Sequence, residues 1–157
     1  GGAIILSDTI YDGRHYRAGE FGHMTIIKDG KECSCGKRGC LEAYCSTKVL
    51  CVQEGEDLHD FFSRLKKGES GYVRVWDEYL ENLSICINNI RMVFDADVII
   101  GGRIQQYIAD YINLLNQKVH ERNSFSDTID YIHISKYAEK ASAVGGALLL
   151  VNDFLHN

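Results

Sequence analysis

Four side chains in one short stretch have the types and spacing for metal chemistry: His23, Cys33, Cys35 and Cys40, within HMTIIKDGKECSCGKRGCLE (residues 23–42). A closed structural Zn²⁺ site takes four thiolate or imidazole donors at the corners of a tetrahedron. Cys33 and Cys35 bracket one residue and Cys40 follows five later, so the loop delivers three sulfurs to one point only by turning tightly. Gly36 and Gly39 permit that turn because glycine tolerates positive φ. Lys37 and Arg38, at the tip, partly offset the charge of three thiolates. The alternatives are disulfides or free thiols. A Cys33–Cys35 disulfide would be strained, and nothing marks the chain as secreted, so ligand softness favours zinc. Cys45, Cys51 and Cys86 lie outside this knuckle at helical positions and read as small buried hydrophobes.

Two carboxylates accompany the imidazole: Glu20, Glu42 and His23 form a second, overlapping set. Sugar hydroxyls donate as well as accept, and one carboxylate can accept from two neighbouring hydroxyls, so paired glutamates suit hexose recognition. With one ring nitrogen on the metal, the other N–H of His23 becomes a donor of fixed tautomer and direction. On these residues alone the simpler readings prevail: Glu42 stabilises a helix N-terminus, and Glu20 is a solvated loop charge. Four protein donors leave no open coordination position, so the metal is expected to be structural and not to activate a nucleophile. His15, His59, His120, His133 and His156 show no ligand spacing and read as surface or satisfied core residues.

The elements that must hold these groups follow from pattern. Gly1-Gly2 feeds a buried strand, Ile4–Leu6, and Ser7-Asp8 turns it into Thr9–Tyr11, a hairpin. A polar loop, 12–19, leads to Glu20 and a strand-like Met24–Ile27, with Asp29-Gly30 as a turn. Leu41–Cys51 reads as a helix with Glu42 in its first turn. Asp57 caps a short helix, Leu58–Lys67, with Leu58, Phe61, Phe62 and Leu65 on one face and Gly68 closing it. From Tyr72 to Phe94, apolar residues at steps of four and three (Trp76, Leu80, Leu83, Ile87, Ile90, Phe94) predict a long amphipathic helix. Ala96–Ile100 is an apolar run ending at Gly101-Gly102, followed by a helix from Ile104 to about Glu121. After a polar connector at Asn123-Ser124, Tyr131–Ser135 is a strand and Ala138–Leu155 a closing helix. Gly145 and Gly146 inside that helix cost about 1 kcal/mol each against alanine, which predicts close approach of a backbone or ligand there. The order βαβα after a β-rich start gives an α/β sheet layered with helices.

Composition narrows the possibilities. The 157 residues, 45% hydrophobic, suffice for one domain with its own core. A net charge of −5 with no basic run excludes the electrostatic footprint of a nucleic-acid binder from this segment. No apolar run approaches 18 residues, which excludes a membrane span. The thiol usage fits a reducing cytoplasm. The chain begins at Gly1 without methionine and reads as part of something longer.

AGEFGH (18–23) followed by CSCGKRGCLEAYCS (33–46) resembles the C-terminal-lobe signature of the ROK family of sugar kinases and sugar-responsive repressors. Every fixed position of the family pattern GE-x-GH, then C-x-CG-x-x-GC-x-E, is filled at the family's spacing. The resemblance implies an α/β, actin-like (ribonuclease H-like) C-terminal lobe over residues 1–157, a mixed sheet with packed helices and a zinc knuckle, the N-terminal lobe being absent. It implies sugar contact by Glu20, His23 and Glu42. Gly1 and Gly2 resemble the family's second phosphate-contacting turn, and Gly101 and Gly102 its adenosine-contacting turn. On physical grounds alone the first is equally a tight hairpin entry and the second an ordinary strand-to-helix connection. Arg103 stands where family kinases usually carry a small residue.

The family's catalytic base is an aspartate of the preceding lobe. Asp8, Asp12 and Asp97 match no base, so this segment carries no catalytic residue and should phosphorylate nothing alone. The expected parent is a sugar-responsive regulator, favoured by Arg103 and by regulator-like features at Cys45-Ser46 and the Trp76 helix; DNA would be reached only through the missing N-terminal part. The alternative parent is a hexose or N-acetylhexosamine kinase, which would add ATP and Mg²⁺. A third reading keeps the knuckle as scaffold only. A homo-oligomer accords with the resemblance, and no residue here specifies one.

Overall fold

The computed structural model describes residues 1–125, 128–137 and 140–156, with 152, 153, 155 and 156 described by backbone alone. The chain falls into two compact units, Gly1–Asn89 and Ile90–Asn157, of mixed α/β content.

The first unit opens on a hairpin of β1 (Ile5–Leu6) and β2 (Thr9–Ile10), paired Ile5 to Ile10 and Leu6 to Thr9. Ser7 (φ 49°) and Asp8 (φ 63°) are both left-handed, the backbone of a two-residue turn whose twist matches the strands it joins. The hairpin is as expected, but the buried strand is not. Ile5 is 64% exposed, because among the described residues β1 pairs only with β2.

After the knuckle, the helix expected over 41–51 breaks in two. It forms α1 (Glu42–Cys45), then Ser46 turns extended (ψ 153°), and a 3₁₀ turn follows at Thr47–Leu50. The break lets Leu50 bury completely. Glu42 does stand in the first turn.

α2 (Leu58–Lys66) begins as its sequence predicts. The Asp57 carboxylate accepts the Asp60 N–H at 2.9 Å, and the Asp60 carboxylate accepts the Asp57 N–H at 3.3 Å, a reciprocal cap. Leu58, Phe61, Phe62 and Leu65 are all buried, and Gly68 (φ 75°) follows the end. α3 (Ser70–Phe94) is the long helix, with Trp76, Leu80 and Ile87 buried as the periodicity requires. Phe61, Phe62 and Trp76 pack edge to face, with Phe62 and Trp76 centroids 4.9 Å apart, and Tyr79 stacks on Trp76 at 5.2 Å. Such pairs add about 0.5–1.5 kcal/mol beyond burial alone.

A buried carboxylate fastens the loop before α2. Glu56, with a side chain only 5% exposed, accepts from the Tyr72 hydroxyl at 2.8 Å and from the backbone N–H groups of Val52 (2.9 Å) and Gln53 (3.1 Å), and Arg64 Nε lies 3.5 Å away. Burial pushes its pKa up, but these donors outweigh that and hold it below the usual carboxylate value.

In the second unit, β3 (Val98–Ile100) pairs in parallel with β4 (Ile132–Ile134). Between them, the helix expected over 104–121 is helical throughout but divided into α4 (Gln105–Ile108), a 3₁₀ turn at Ala109–Tyr111 and α5 (Ile112–His120). Ile108, Leu115 and Val119 are fully buried. Among the described residues the expected mixed sheet is therefore two separate two-stranded ladders, one antiparallel and one parallel. The parallel one stops where Gly101-Gly102 turns the chain away.

The chain closes with α6 (Ala141–His156); the expected start at Ala138 and the side chain of His156 lie outside the described residues. A Cβ at Gly145 or Gly146 would meet open space, so the close approach expected there is not made by the described residues. No helix among them is long and apolar enough to cross a membrane.

Candidate metal centre

The knuckle is built by backbone pairing around two left-handed glycines. The Cys33 N–H donates to the Lys37 carbonyl at 2.8 Å and the Gly36 N–H to the Cys33 carbonyl at 2.9 Å, closing the loop that carries Cys35. Gly36 (φ 80°) faces open space, so its freedom is conformational only. Gly39 (φ 79°) is constrained twice, since a Cβ there would collide with the carbonyl oxygen of Ile27. Its N–H reaches the Lys31 carbonyl at 2.8 Å and its carbonyl accepts the Ile26 N–H at 2.9 Å, tying both arms of the loop together. Thr25 bridges Cys40 and Glu32 bridges Arg38 in antiparallel fashion.

These constraints gather the four sequence-predicted donors. The ligand atoms of His23, Cys33, Cys35 and Cys40 all lie within 4.8 Å of one another. Cys35 Sγ is 3.8 Å from Cys40 Sγ, and Cys33 Sγ is 3.8 Å from His23 Nδ1. A tetrahedron with metal–sulfur bonds of about 2.3 Å has edges of about 3.8 Å, which these two separations match, so the donor set is compatible with a zinc-sized ion. Nδ1 is the nitrogen turned toward Cys33, which leaves Nε2 as the free edge of the ring.

The sulfurs differ electrostatically. The Cys35 backbone N–H brings the Cys33 thiol down to about 7, whereas burial and the two neighbouring thiols push Cys40 up to about 11. Of the other cysteines, Cys86 is buried as expected, and burial pushes its thiol up to about 11. Cys45 is half-buried, its thiol facing the Tyr79 carbonyl at 3.5 Å and pushed up by burial. Cys51 departs from the expectation: it is exposed, because the 3₁₀ turn ends at Leu50 and turns the next residue outward.

Glu42 joins the centre. Its Oε2 lies 3.7 Å from His23 Nδ1 and its Oε1 accepts the Ser34 hydroxyl at 3.3 Å. Both His23 and Glu42 keep about two fifths of their side-chain surface open. Glu20 precedes the 3₁₀ turn Phe21–His23, is exposed, and accepts the His23 N–H on its carbonyl at 3.0 Å. The carboxylates and imidazole are thus carried on the turn and helix that flank the knuckle.

The glycines expected to meet nucleotide fall in different units, Gly1 and Gly2 in the first and Gly101 and Gly102 in the second. Gly2 packs backbone to backbone against Gly19, where a Cβ on Gly19 (φ 81°) would lie 2.6 Å from the Gly2 carbonyl oxygen. Gly1 faces open space. In the second unit, Gly101 abuts Ser135, and Gly102 (φ 76°) and Arg103 are exposed. His15, His59 and His120 are exposed, and His133 Nε2 pairs with Asp97 at 3.2 Å.

Two contributors escaped the sequence. Ser34 reads as a spacer between cysteines, yet it orients Glu42. Tyr44 reads as a helix residue, yet its hydroxyl accepts the Lys31 N–H and fills the space that a Cβ at Gly30 would need. No local spacing signals either, because both partners are set by the fold of the loop.

The model for the ROK family matches residues 1–153. The chain is 28% identical over 160 residues to the xylose repressor of Bacillus subtilis, covering 97% of this chain and 41% of that one. It is 30% identical over 124 residues to an N-acetyl-D-glucosamine kinase of Vibrio cholerae, covering 68% and 41% respectively. The ROK hexokinase of Thermus thermophilus superposes with a TM-score of 0.82 at 23% identity, over 95% of this chain and 53% of that one, and so shares its fold. The chain spans less than half the length of these curated relatives. With the family match running almost end to end, the chain belongs to the ROK family.

Proposed function

We propose that residues 1–157 form one zinc-stabilised, sugar-binding lobe of a longer protein, the effector-binding half of a sugar-responsive transcriptional regulator. The observation that carries the sugar reading is the 3.7 Å approach of Glu42 Oε2 to His23 Nδ1 beside three gathered thiols. His23, Cys33, Cys35 and Cys40 would hold Zn²⁺. The ion would supply rigidity and fix the tautomer of His23, so that Nε2–H points outward as a donor. Glu42, steadied by Ser34, and Glu20 would accept from neighbouring sugar hydroxyls. The regulator reading is supported by likeness to a xylose repressor along nearly the whole chain and by the exposed Arg103 beside Gly102. Contact with DNA would belong to a part of the parent outside these residues, and the working compartment would be the cytoplasm.

A second reading has its own support. The likeness to an N-acetylglucosamine kinase is higher in identity though shorter, and Gly2 is packed against the loop that carries Glu20. In that reading the parent is an ATP-dependent sugar kinase, with Gly1, Gly2, Gly101 and Gly102 near ATP and Mg²⁺.

Titration calorimetry against xylose, glucose and N-acetylglucosamine tests the site. Binding of one of them is expected, weakened about 10- to 100-fold by Glu20→Ala or Glu42→Ala at unchanged metal content, as hydrogen bonds to a charged group are worth about 1.5–3 kcal/mol. No binding to any sugar, or indifference to both substitutions, refutes the site. Heat of ATP binding in the presence of Mg²⁺ would move the parent to the kinase reading; its absence supports the regulator.

A further inference from the structure

We propose that Cys35 and Cys40 form a peroxide-sensitive dithiol that opens the metal knuckle and thereby switches off sugar binding; the effect on sugar rests on the function proposed above. A soluble oxidant must first reach a sulfur. Cys33 and Cys40 are 4% and 2% exposed, whereas Cys35 is exposed to solvent. The entry point is therefore Cys35.

A sulfenic acid formed there needs a second sulfur within reach. Cys40 Sγ lies 3.8 Å away, and a disulfide at about 2.05 Å requires the two to close by less than 2 Å. The intervening loop can supply that movement at Gly36, which is left-handed and faces open space on its Cβ side. Cys33 is excluded as partner. Only Ser34 separates it from Cys35, which strains the ring, and its N–H and carbonyl are both engaged, by Lys37 and Gly36.

The chemistry balances with a hydroperoxide as oxidant. The Cys35 thiolate attacks the peroxide oxygen, the O–O bond breaks, and the products are Cys35 sulfenic acid and, after protonation, one water. The Cys40 thiolate then attacks the Cys35 sulfur, the S–O bond breaks, and the leaving hydroxide takes a proton from solvent to give a second water. Two thiolates have lost two electrons to one hydrogen peroxide, and two protons from solvent complete the two waters. The metal keeps only His23 and Cys33 and is released. Glu42 and His23 then lose the frame that aims them. A dithiol reductant restores both sulfurs.

The test is hydrogen peroxide titration of the metal-loaded 157-residue chain, with Cys51, the other exposed thiol, as internal reference. Released metal is read with a chromogenic chelator, the disulfide by peptide mapping, and sugar affinity by calorimetry. Metal release equimolar with a Cys35–Cys40 disulfide, a tenfold or greater loss of sugar affinity, and reversal by dithiothreitol plus zinc are expected. Cys35→His, which keeps a donor and removes the exposed sulfur, should hold its metal at peroxide levels that empty the parent. Retention of metal when Cys51 is fully oxidised, or a disulfide mapped to any other pair, overturns the inference; the mapping on the parent decides this even if the variant fails to fold. A chain that purifies without metal instead refutes the zinc reading and the release step together. Release with unchanged sugar affinity overturns the switch while leaving the dithiol.

Discussion

The Tyr44 hydroxyl accepts the backbone N–H of Lys31 at 2.6 Å, so α1 is pinned to the entrance of the knuckle across thirteen residues of chain. Lys31 Nζ also lies over the Tyr44 ring, 4.8 Å from its centroid. Tyr44→Phe keeps the packing and removes one acceptor from a part-buried amide, which costs about 1–3 kcal/mol. A lower urea midpoint with the metal still bound is expected; an unchanged midpoint would show that the pin is idle.

Gly36 and Gly39 share a left-handed backbone but not their surroundings, and alanine scanning should separate them. Gly36→Ala adds only the cost of a left-handed non-glycine residue, about 1–2 kcal/mol, and is expected to retain metal. Gly39→Ala adds a collision with the Ile27 carbonyl and forces the loop apart. Elemental analysis of the two purified variants should find the ion in the first and little in the second. Equal metal content in both would contradict the packing described for Gly39.

Removal of the ion should act on stability and ligand together. The four donors close a loop that joins the Phe21–His23 turn to α1, so binding of the proposed ion would be partly folding free energy. Chelation is expected to lower the melting temperature and abolish sugar binding in parallel. Binding that survives chelation would mean that Glu42 and His23 are held by the chain alone.

Acid should weaken the first unit through Glu56. Its folded pKa is depressed below the unfolded value of about 4.3, so the charged form is the one the fold stabilises. That contribution is present in full above the unfolded pKa and is lost as pH falls through the folded one. In Glu56→Gln, stability at pH 7 should fall and its slope with pH below about 4.5 should flatten relative to the parent. Denaturant titrations at stepped pH check this, and parallel curves for the two proteins would assign the acid sensitivity elsewhere.

Removing the Phe61 ring, which is fully buried between Phe62, Tyr72 and Trp76, should cost about 3–5 kcal/mol as Phe61→Ala. The knuckle residues are not in that cluster, so the metal-to-protein ratio of the folded fraction should stay as it was. Loss of metal at equal folded fraction would tie the aromatic core to the site.

Whatever rests on short-range spacing was legible in the sequence. The donors at 33, 35 and 40 need only a tight loop to meet, Asp57 and Asp60 need only one helical turn to cap each other, and the stripe through Trp76, Leu80 and Ile87 needs only helical period. Each is fixed by residues within a few positions of one another, where the backbone offers few alternatives. The tertiary structure decided what depends on partners far along the chain or on what is left uncovered. The helix breaks at Ser46, and Leu50 beyond the break is fully buried, a pairing that local periodicity does not signal. Cys51 is exposed and the β1–β2 hairpin lies open although both sequences are apolar, since burial depends on which surfaces arrive from elsewhere. Ser34 meets Glu42, and Glu56 meets Tyr72, only once packing has closed distances that spacing along the chain leaves free.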